Sequence, residues 1–251
     1  MKSILLTNDD GIGADGLISL RDELSRFAHV LVVAPDQNRS AISHGLTIHT
    51  RLIPEEAGPD SFSLNGTPAD CVIYALEKLF IDPPDLVISG INHGANLGDD
   101  VMYSGTVAAA REAARYGIPA IAVSQEYEDG KKVRFTEGIK FMGNMVKTML
   151  HNGLNGELLL NVNIPIGKIK GMKITRQGYR EREKHFNIFE AKWNFSPPDS
   201  LISLKNELIT DKMAISEGYI SVTPLWRDQT DYADAQLLLE SPELFFAKRS
   251  S

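Results

Sequence analysis

The chain of 251 residues is 43% hydrophobic and 24% charged, with a formal net charge of -7 at pH 7. That composition describes a globular protein with one substantial core and excludes disordered and fibrous classes. The acidic balance, with no long Lys/Arg run, argues against a nucleic-acid-duplex surface, so any phosphate it binds needs a local site. The lone cysteine, Cys71, excludes an intramolecular disulfide and reads as core, which makes a cytoplasmic location the expectation. No apolar run reaches the roughly 20 residues of a membrane helix, so no membrane partner is expected. The apolar start at 4–6 meets Asp9 and Asp10 too early for a signal peptide.

Short β-branched runs alternate with longer helical patterns over 1–165, which predicts an α/β, Rossmann-like wound sheet, mostly parallel. The expected strands are 4–7, 30–34, 86–89, 120–124 and 158–164, and the helices lie near 15–27, 68–80, 106–116 and 135–150. Thr67-Pro68 is an N-cap followed by a first-turn proline, and Gly117 with Pro119 ends the third helix. Segments 46–50 and 61–64 are expected as an edge addition. From 166 to 251 the texture changes to strands at 172–177 and 219–224, separated by a long aromatic and charged stretch. Forty residues without periodicity suit an extended arm, about 176–217, that packs on another subunit, or else a lid over a site, rather than a bare loop, because Phe186, Phe189, Trp193 and Phe195 need burial.

Four polar segments follow strands, and a parallel sheet gathers such carboxyl ends into one crevice. They are Asn8-Asp9-Asp10-Gly11, Pro35 through Gly45, Ser89 through Gly98, and Ser104-Gly105-Thr106 at the head of a helix. Taken singly each is a turn or cap. Their repetition at one end of a sheet favours a ligand site. Adjacent carboxylates repel unless a proton or cation relieves them. The Asp9 and Asp10 carboxylates, the Ser40 hydroxyl and the Asn92 carbonyl make an oxygen set suited to one divalent cation, Mg²⁺ or Mn²⁺. A helix entrance at Ser104, Gly105 and Thr106 offers N–H donors and a positive dipole end to phosphate, and Asn96 is a further donor. Neighbouring metal and phosphate sites fit metal-assisted hydrolysis of a phosphate ester. His44 and His93 lie in the polar segments as accessory proton carriers or plain hydrogen-bonding loop residues. No histidine pair has zinc spacing, and P-loop, Ser-elbow and reactive-cysteine patterns are absent.

These residues carry a resemblance. T-N-D-D-G at 7–11, A-P-D-x-N-R-S at 34–40, N-G-T-P-A-D-C at 65–71, S-G-I-N-x-G-x-N-x-G at 89–98, Y-S-G-T-V-A-A-A at 103–110 and G-Y-I-S-V-T-P-L at 218–225 together resemble the SurE family of metal-dependent nucleotidases. The resemblance implies hydrolysis of nucleoside 5'- or 3'-monophosphates, with polyphosphate as a further substrate. It implies a divalent metal on Asp9, Asp10, Ser40 and Asn92, phosphate contacts at Asn96 and Ser104 to Thr106, and a metal-activated water. Asn8 is implied in the catalytic group, orienting either Asp9 or the phosphate. A homodimer or homotetramer built through the C-terminal arm is implied as well. The family's Asp-Pro-x-Gly turn and Tyr-Tyr-Trp run are missing, the chain reading Ala191-Lys192-Trp193-Asn194-Phe195-Ser196-Pro197-Pro198-Asp199 instead. The rival of another class is a non-catalytic receiver-like module, which also pairs acids after its first strand but needs an acceptor aspartate where this chain has Asn92. A haloacid-dehalogenase-type phosphatase needs Asp-x-Asp, which Asp9-Asp10-Gly11 lacks.

Overall fold

The computed structural model describes residues 1–128, 130, 133–154, 156, 158–178, 208–226 and 228–240. Nine strands form one sheet: β1 (Ser3–Thr7), β2 (His29–Pro35), β3 (Pro54–Gly58), β4 (Ser61–Leu64), β5 (Leu86–His93), β6 (Ala120–Gln125), β7 (Leu159–Ile164), β8 (Met172–Ile174) and β9 (Ile220–Pro224). Their spatial order is β3-β4-β2-β1-β5-β6-β7-β9-β8, with β3 and β9 antiparallel to their inner neighbours and the other pairings parallel.

Period-2 alternation of apolar residues on both faces explains why this sheet is covered twice. Ile4, Leu6, Val32, Ile88 and Val123 point to one buried cluster. Leu5, Val33, Val87 and Ala122 point to the other. The first face is covered by α1 (Asp15–Leu24) and α4 (Thr136–Asn152), the second by α2 (Pro68–Tyr74) and α3 (Gly105–Arg115). Cys71 is buried in the second cluster, as expected.

The order reverses direction at β1, from which the chain leaves toward β2 on one side and later returns to β5 on the other. That switch point lies at the carboxyl ends where Asn8, Asp9 and Asp10 sit, the place where doubly wound sheets hold ligands.

Several boundaries differ from the sequence expectation. Segment 46–50 forms no strand; the edge is made by β3, whose exposed residues pair antiparallel with β4 across a tight turn at Asp60. The second helix keeps α geometry only to Tyr74 and then widens into a π turn, Ala75–Leu79. β5 runs four residues further than expected, to His93, because a register shift between Ser89 and Asn92 lets it bend and continue beside β6. Gly90 permits that bend: a Cβ there would stand 2.2 Å from the Val123 carbonyl oxygen. The capping of α2 matches expectation, with Thr67 and Asp70 satisfying each other's backbone N–H.

Beyond 165, β8 and β9 continue the same sheet. At the ends of the expected arm, Arg176 bridges Thr210, and α5 (Asp211–Ser216) is a short helix capped by Thr210. The final described element is α6 (Tyr232–Glu240). Phe186, Phe189, Trp193, Phe195 and the diverged run 191–199 lie outside the described residues.

Candidate active site

The loop after β1 builds the site from the backbone outward. Asn8 is fully buried, and its amide closes a ring with Gly11: Nδ2 donates to the Gly11 carbonyl at 2.9 Å while Oδ1 accepts the Gly11 N–H at 3.2 Å. Both polar ends of Asn8 are thereby committed to the turn that presents Asp9 and Asp10. Of the two roles open from sequence, the geometry favours support of the aspartate loop.

Asp9 is buried, 4% exposed, and meets the first turn of α3. Thr106 Oγ1 donates to one carboxylate oxygen at 2.6 Å and the Thr106 N–H to the other at 3.2 Å. Burial is the main reason that the Asp9 carboxyl is pushed up to about 6; the Thr106 hydroxyl opposes it and the neighbouring Asp10 charge adds to it. Such close approach of helix to carboxylate requires Gly105, since a Cβ there would lie 2.9 Å from Asp9 Cβ and 3.0 Å from Oδ2.

Asp10 faces outward. One oxygen accepts the His93 N–H at 3.0 Å and the other meets Asn38 Nδ2 at 3.5 Å, so the tips of β5 and β2 converge on it. The loop after β2 folds over the pair: Arg39 N donates to the Asp9 carbonyl at 2.7 Å, and Ser40, exposed, donates its N–H to Asn38 Oδ1 at 2.9 Å. Ala41 and Ser43 take positive φ, 58° and 57°, in this same loop, a backbone conformation that costs about 1–3 kcal/mol for a non-glycine residue. Asn92 donates Nδ2 to the Gly94 carbonyl at 2.8 Å, which leaves its carbonyl oxygen without a donor among the described residues.

The donor set fits a hard cation. Among the described residues no three His, Cys, Asp or Glu side chains cluster, so a cation here would draw on two carboxylates and neutral oxygens. A cation beside Asp9 would also offset the burial that disfavours its ionised form.

The expected phosphate donors divide. The Ser104 hydroxyl accepts the Val107 N–H at 3.1 Å as the N-cap and retains its own proton to donate. Gly105 keeps the one N–H of the first turn without an acceptor among the described residues. Thr106, by contrast, spends both donors on Asp9. Asn96 is also committed inward, its Nδ2 donating to Ser124 Oγ at 2.8 Å.

The histidines differ in setting. His44 Nε2 lies 2.8 Å from the buried Glu112 carboxylate, whereas His93 packs edge-on against Tyr127 with ring centroids 4.5 Å apart.

Sequence reasoning missed four supporting residues. Asn161 and Asn163 of β7 hold the backbone of Asn96: Asn163 Oδ1 accepts its N–H at 2.7 Å, and both amides donate to its carbonyl, at 2.9 and 3.1 Å. Their i, i+2 spacing inside an apolar strand was the readable signal. Asp211 is fully buried and accepts the N–H groups of Gly98, Gly178 and Lys212, which clamps the end of the β5–α3 loop to the chain before α5. Nothing in its local sequence sets it apart. Glu112 was visible only as the one acid in an alanine-rich helix.

Comparison with known proteins identifies the family. The family model described as "Survival protein SurE" matches residues 4–184. The chain is 40% identical over 247 residues to "5'-nucleotidase SurE" of Syntrophotalea carbinolica, covering 94% of this chain and 95% of that protein. It is 43% identical over 244 residues to the protein of the same name from Thermoanaerobacter pseudethanolicus, covering 91% and 94%. In three dimensions it matches the crystal structure of the SurE protein from Aquifex aeolicus with a TM-score of 0.80 at 36% identity, over 96% of this chain and 98% of that one. These relatives carry nucleotidase names, which leaves the receiver-like reading without support. A wound sheet with paired aspartates at its switch point, and relatives spanning nearly its whole length, make the chain a member of the SurE family.

Proposed function

We propose that this chain is a divalent-metal-dependent phosphomonoesterase that hydrolyses nucleoside 5'-monophosphates to nucleoside and phosphate. The observation that carries the reading is the buried Asp9 carboxylate locked to the N-terminus of α3 by Thr106, with Asp10 beside it at the switch point. Asp9, Asp10, Ser40 and Asn92 would hold one Mg²⁺ or Mn²⁺ ion per subunit. Such an ion supplies a Lewis acid that polarises a phosphoryl oxygen and acidifies water.

The chain's own groups do the rest. Thr106 holds Asp9 in one rotamer, so a ligand oxygen is fixed before substrate arrives. Substrate phosphate is received by the Gly105 N–H and the Ser104 hydroxyl at the positive end of α3, where charge gained in the transition state is stabilised without reorganisation. Asn8 holds the aspartate turn, and Asn96 anchors the loop that follows Asn92 and the end of β5. His44, oriented by Glu112, and His93, beside Asp10, are the accessory proton carriers.

The same reading extends to 3'-monophosphates and polyphosphate as further substrates, to a cytoplasmic location, and to a homodimer or homotetramer through the C-terminal arm. Among the described residues no helix is long and apolar enough to cross a membrane.

A phosphate-release screen over nucleoside 5'- and 3'-monophosphates and polyphosphate, with Mg²⁺, Mn²⁺ or EDTA, tests the reading. Release from 5'-monophosphates that EDTA abolishes is the expected result. No release with either metal would overturn it.

A further inference from the structure

A cleft of about 630 Å³ opens beside Ser104 and follows one face of α3. Ser104, Ala108, Arg111 and Arg115 recur at helical spacing and share that face. Val101 and Met102 supply an apolar wall, and the loop carrying Ser43 and His44 closes the near end. Two bonds pin that loop to the α3 entrance, from Ser43 N to the Tyr103 carbonyl at 3.0 Å and from Ser43 Oγ to the Met102 carbonyl at 2.7 Å. Asp228 reaches the cleft from the chain beyond β9.

The two arginines of this face are not equivalent. Arg115 donates to Glu112 at 3.2 Å. Arg111 has no acid partner among the described residues, its Nε is buried without an acceptor, and burial holds its guanidinium below the usual arginine range. A partly desolvated guanidinium with unmet donors is costly until something completes it. Asp228 contributes a carboxylate to the same cleft, beside Gln229, and accepts from the Thr230 N–H at 2.9 Å, the Thr230 hydroxyl at 2.7 Å and the Tyr232 hydroxyl.

Phosphate at the α3 entrance sets the scale. Seven residues separate Ser104 from Arg111, about 10 Å of helix. Helical side chains lean toward the N-terminus, so the Arg111 fork works somewhat nearer to Ser104 than its own Cα. That span suits a nucleoside with its sugar over Ala108 and its base against Met102. A donor fork and a carboxylate in one cleft complement a base edge that carries two adjacent acceptors followed by donors. The 6-oxopurines have that edge, with N7 and O6 accepting and N1–H donating; adenine places an amino group where O6 would be.

We propose that this cleft receives the 6-oxopurine base of the substrate, Arg111 donating to O6 and N7 and Asp228 accepting from N1–H. Arg111 is thus a specificity-determining residue for guanosine and inosine 5'-monophosphates over adenosine 5'-monophosphate. The inference rests on the nucleotidase reading given above.

The test measures kcat and KM for the three nucleotides with wild type and Arg111→Met, with circular dichroism to verify folding of the variant. Wild type is expected to favour the guanosine and inosine nucleotides at least about tenfold in kcat/KM, and Arg111→Met to bring the ratio near one through KM, as loss of a bidentate base contact does. A wild-type ratio near one, or a ratio unchanged in the variant, overturns the inference while leaving the nucleotidase reading in place. An effect confined to a nucleoside 3',5'-bisphosphate would make Arg111 an anion reader and also overturn it. If wild type hydrolyses no nucleotide, the nucleotidase reading itself falls, and calorimetric titration with guanosine and adenosine in EDTA decides the cleft alone. Guanosine bound at least about tenfold more tightly than adenosine, with the preference lost in Arg111→Met, upholds the base site, and equal binding overturns it.

Discussion

Replacing Thr106 by valine removes one hydroxyl from the Asp9 carboxylate and little volume. The lost bond is a short one, 2.6 Å, to a carboxylate 4% exposed. A charge-assisted hydrogen bond of this kind is worth about 1.5–3 kcal/mol, which is about 1–2 units of pKa. The Asp9 carboxyl, already pushed up to about 6 mainly by burial, would titrate correspondingly higher. A cation competes with that proton, so its apparent dissociation constant scales as one plus ten to the power of pKa minus pH. At pH 6 the variant should therefore bind Mn²⁺ about 5- to 50-fold more weakly than wild type, and at pH 8 within about twofold. Calorimetric titration of Mn²⁺ into the metal-free protein at both pH values checks this. A weakening of equal size at pH 6 and pH 8 would refute the argument, because lost geometry alone carries no pH dependence. Since Thr106 faces Asp9, phosphate product inhibition at saturating metal should change little.

Asp9→Asn should abolish turnover yet raise the stability of the metal-free protein. The folded carboxyl, at about 6 against an ordinary 3.8, gives a destabilisation that fades below pH 3.8 and is nearly complete above about 6, of order 3 kcal/mol; urea unfolding at pH 7 and pH 4 measures the difference, which should fall to about 0.5 kcal/mol at the lower pH. Gly105→Ala should lower kcat/KM by about 100-fold or more, because the new methyl would meet Asp9 Cβ at 2.9 Å and displace it. Helical circular dichroism should be unchanged, and wild-type kinetics would sink the claim of close approach. Asp211→Ala strands the buried N–H groups of Gly98 and Gly178 and the part-buried one of Lys212. It should cost about 3 kcal/mol or more in chemical denaturation. An unchanged denaturation midpoint would show that the clamp contributes nothing.

The sequence exposed the elements of the core because the physics there is local. Apolar alternation marked β1, β2, β6 and β7 to within about two residues, and Thr67-Pro68 located the start of α2 through a capping box that closes within four residues. Where long-range contact decides, the reading slipped. The polar edge strand β3 exists by pairing with β4, so propensity misplaced it at 46–50. The extension of β5 to His93 depends on Gly90 passing the Val123 carbonyl, which no local pattern announces.

The site divides the same way. Side-chain chemistry and strand-tip placement nominated Asp9, Asp10, Ser40 and Asn92 together, because a parallel sheet leaves its carboxyl ends nowhere to go but one edge. What each donor faces was a tertiary matter. Thr106 and Asn96 carry groups that would suit a phosphate, but packing turns Thr106 onto Asp9 and Asn96 onto Ser124. Asn163 and Asp211 become supports only because chain 67 and 113 residues away folds against them.

By itself, then, the sequence determined the wound α/β sheet, the paired aspartates at its first strand tip and the family to which they belong, since periodicity, capping and motif order are properties of neighbours along the chain. Only the tertiary structure decided that Asp9 is buried against α3 through a glycine, that Thr106 supports a carboxylate, and that Arg111 lines a cleft with its charge unanswered by any acid among the described residues. Burial and hydrogen-bond partnership are set by elements distant in sequence, and they fix what a polar side chain has left to offer a ligand.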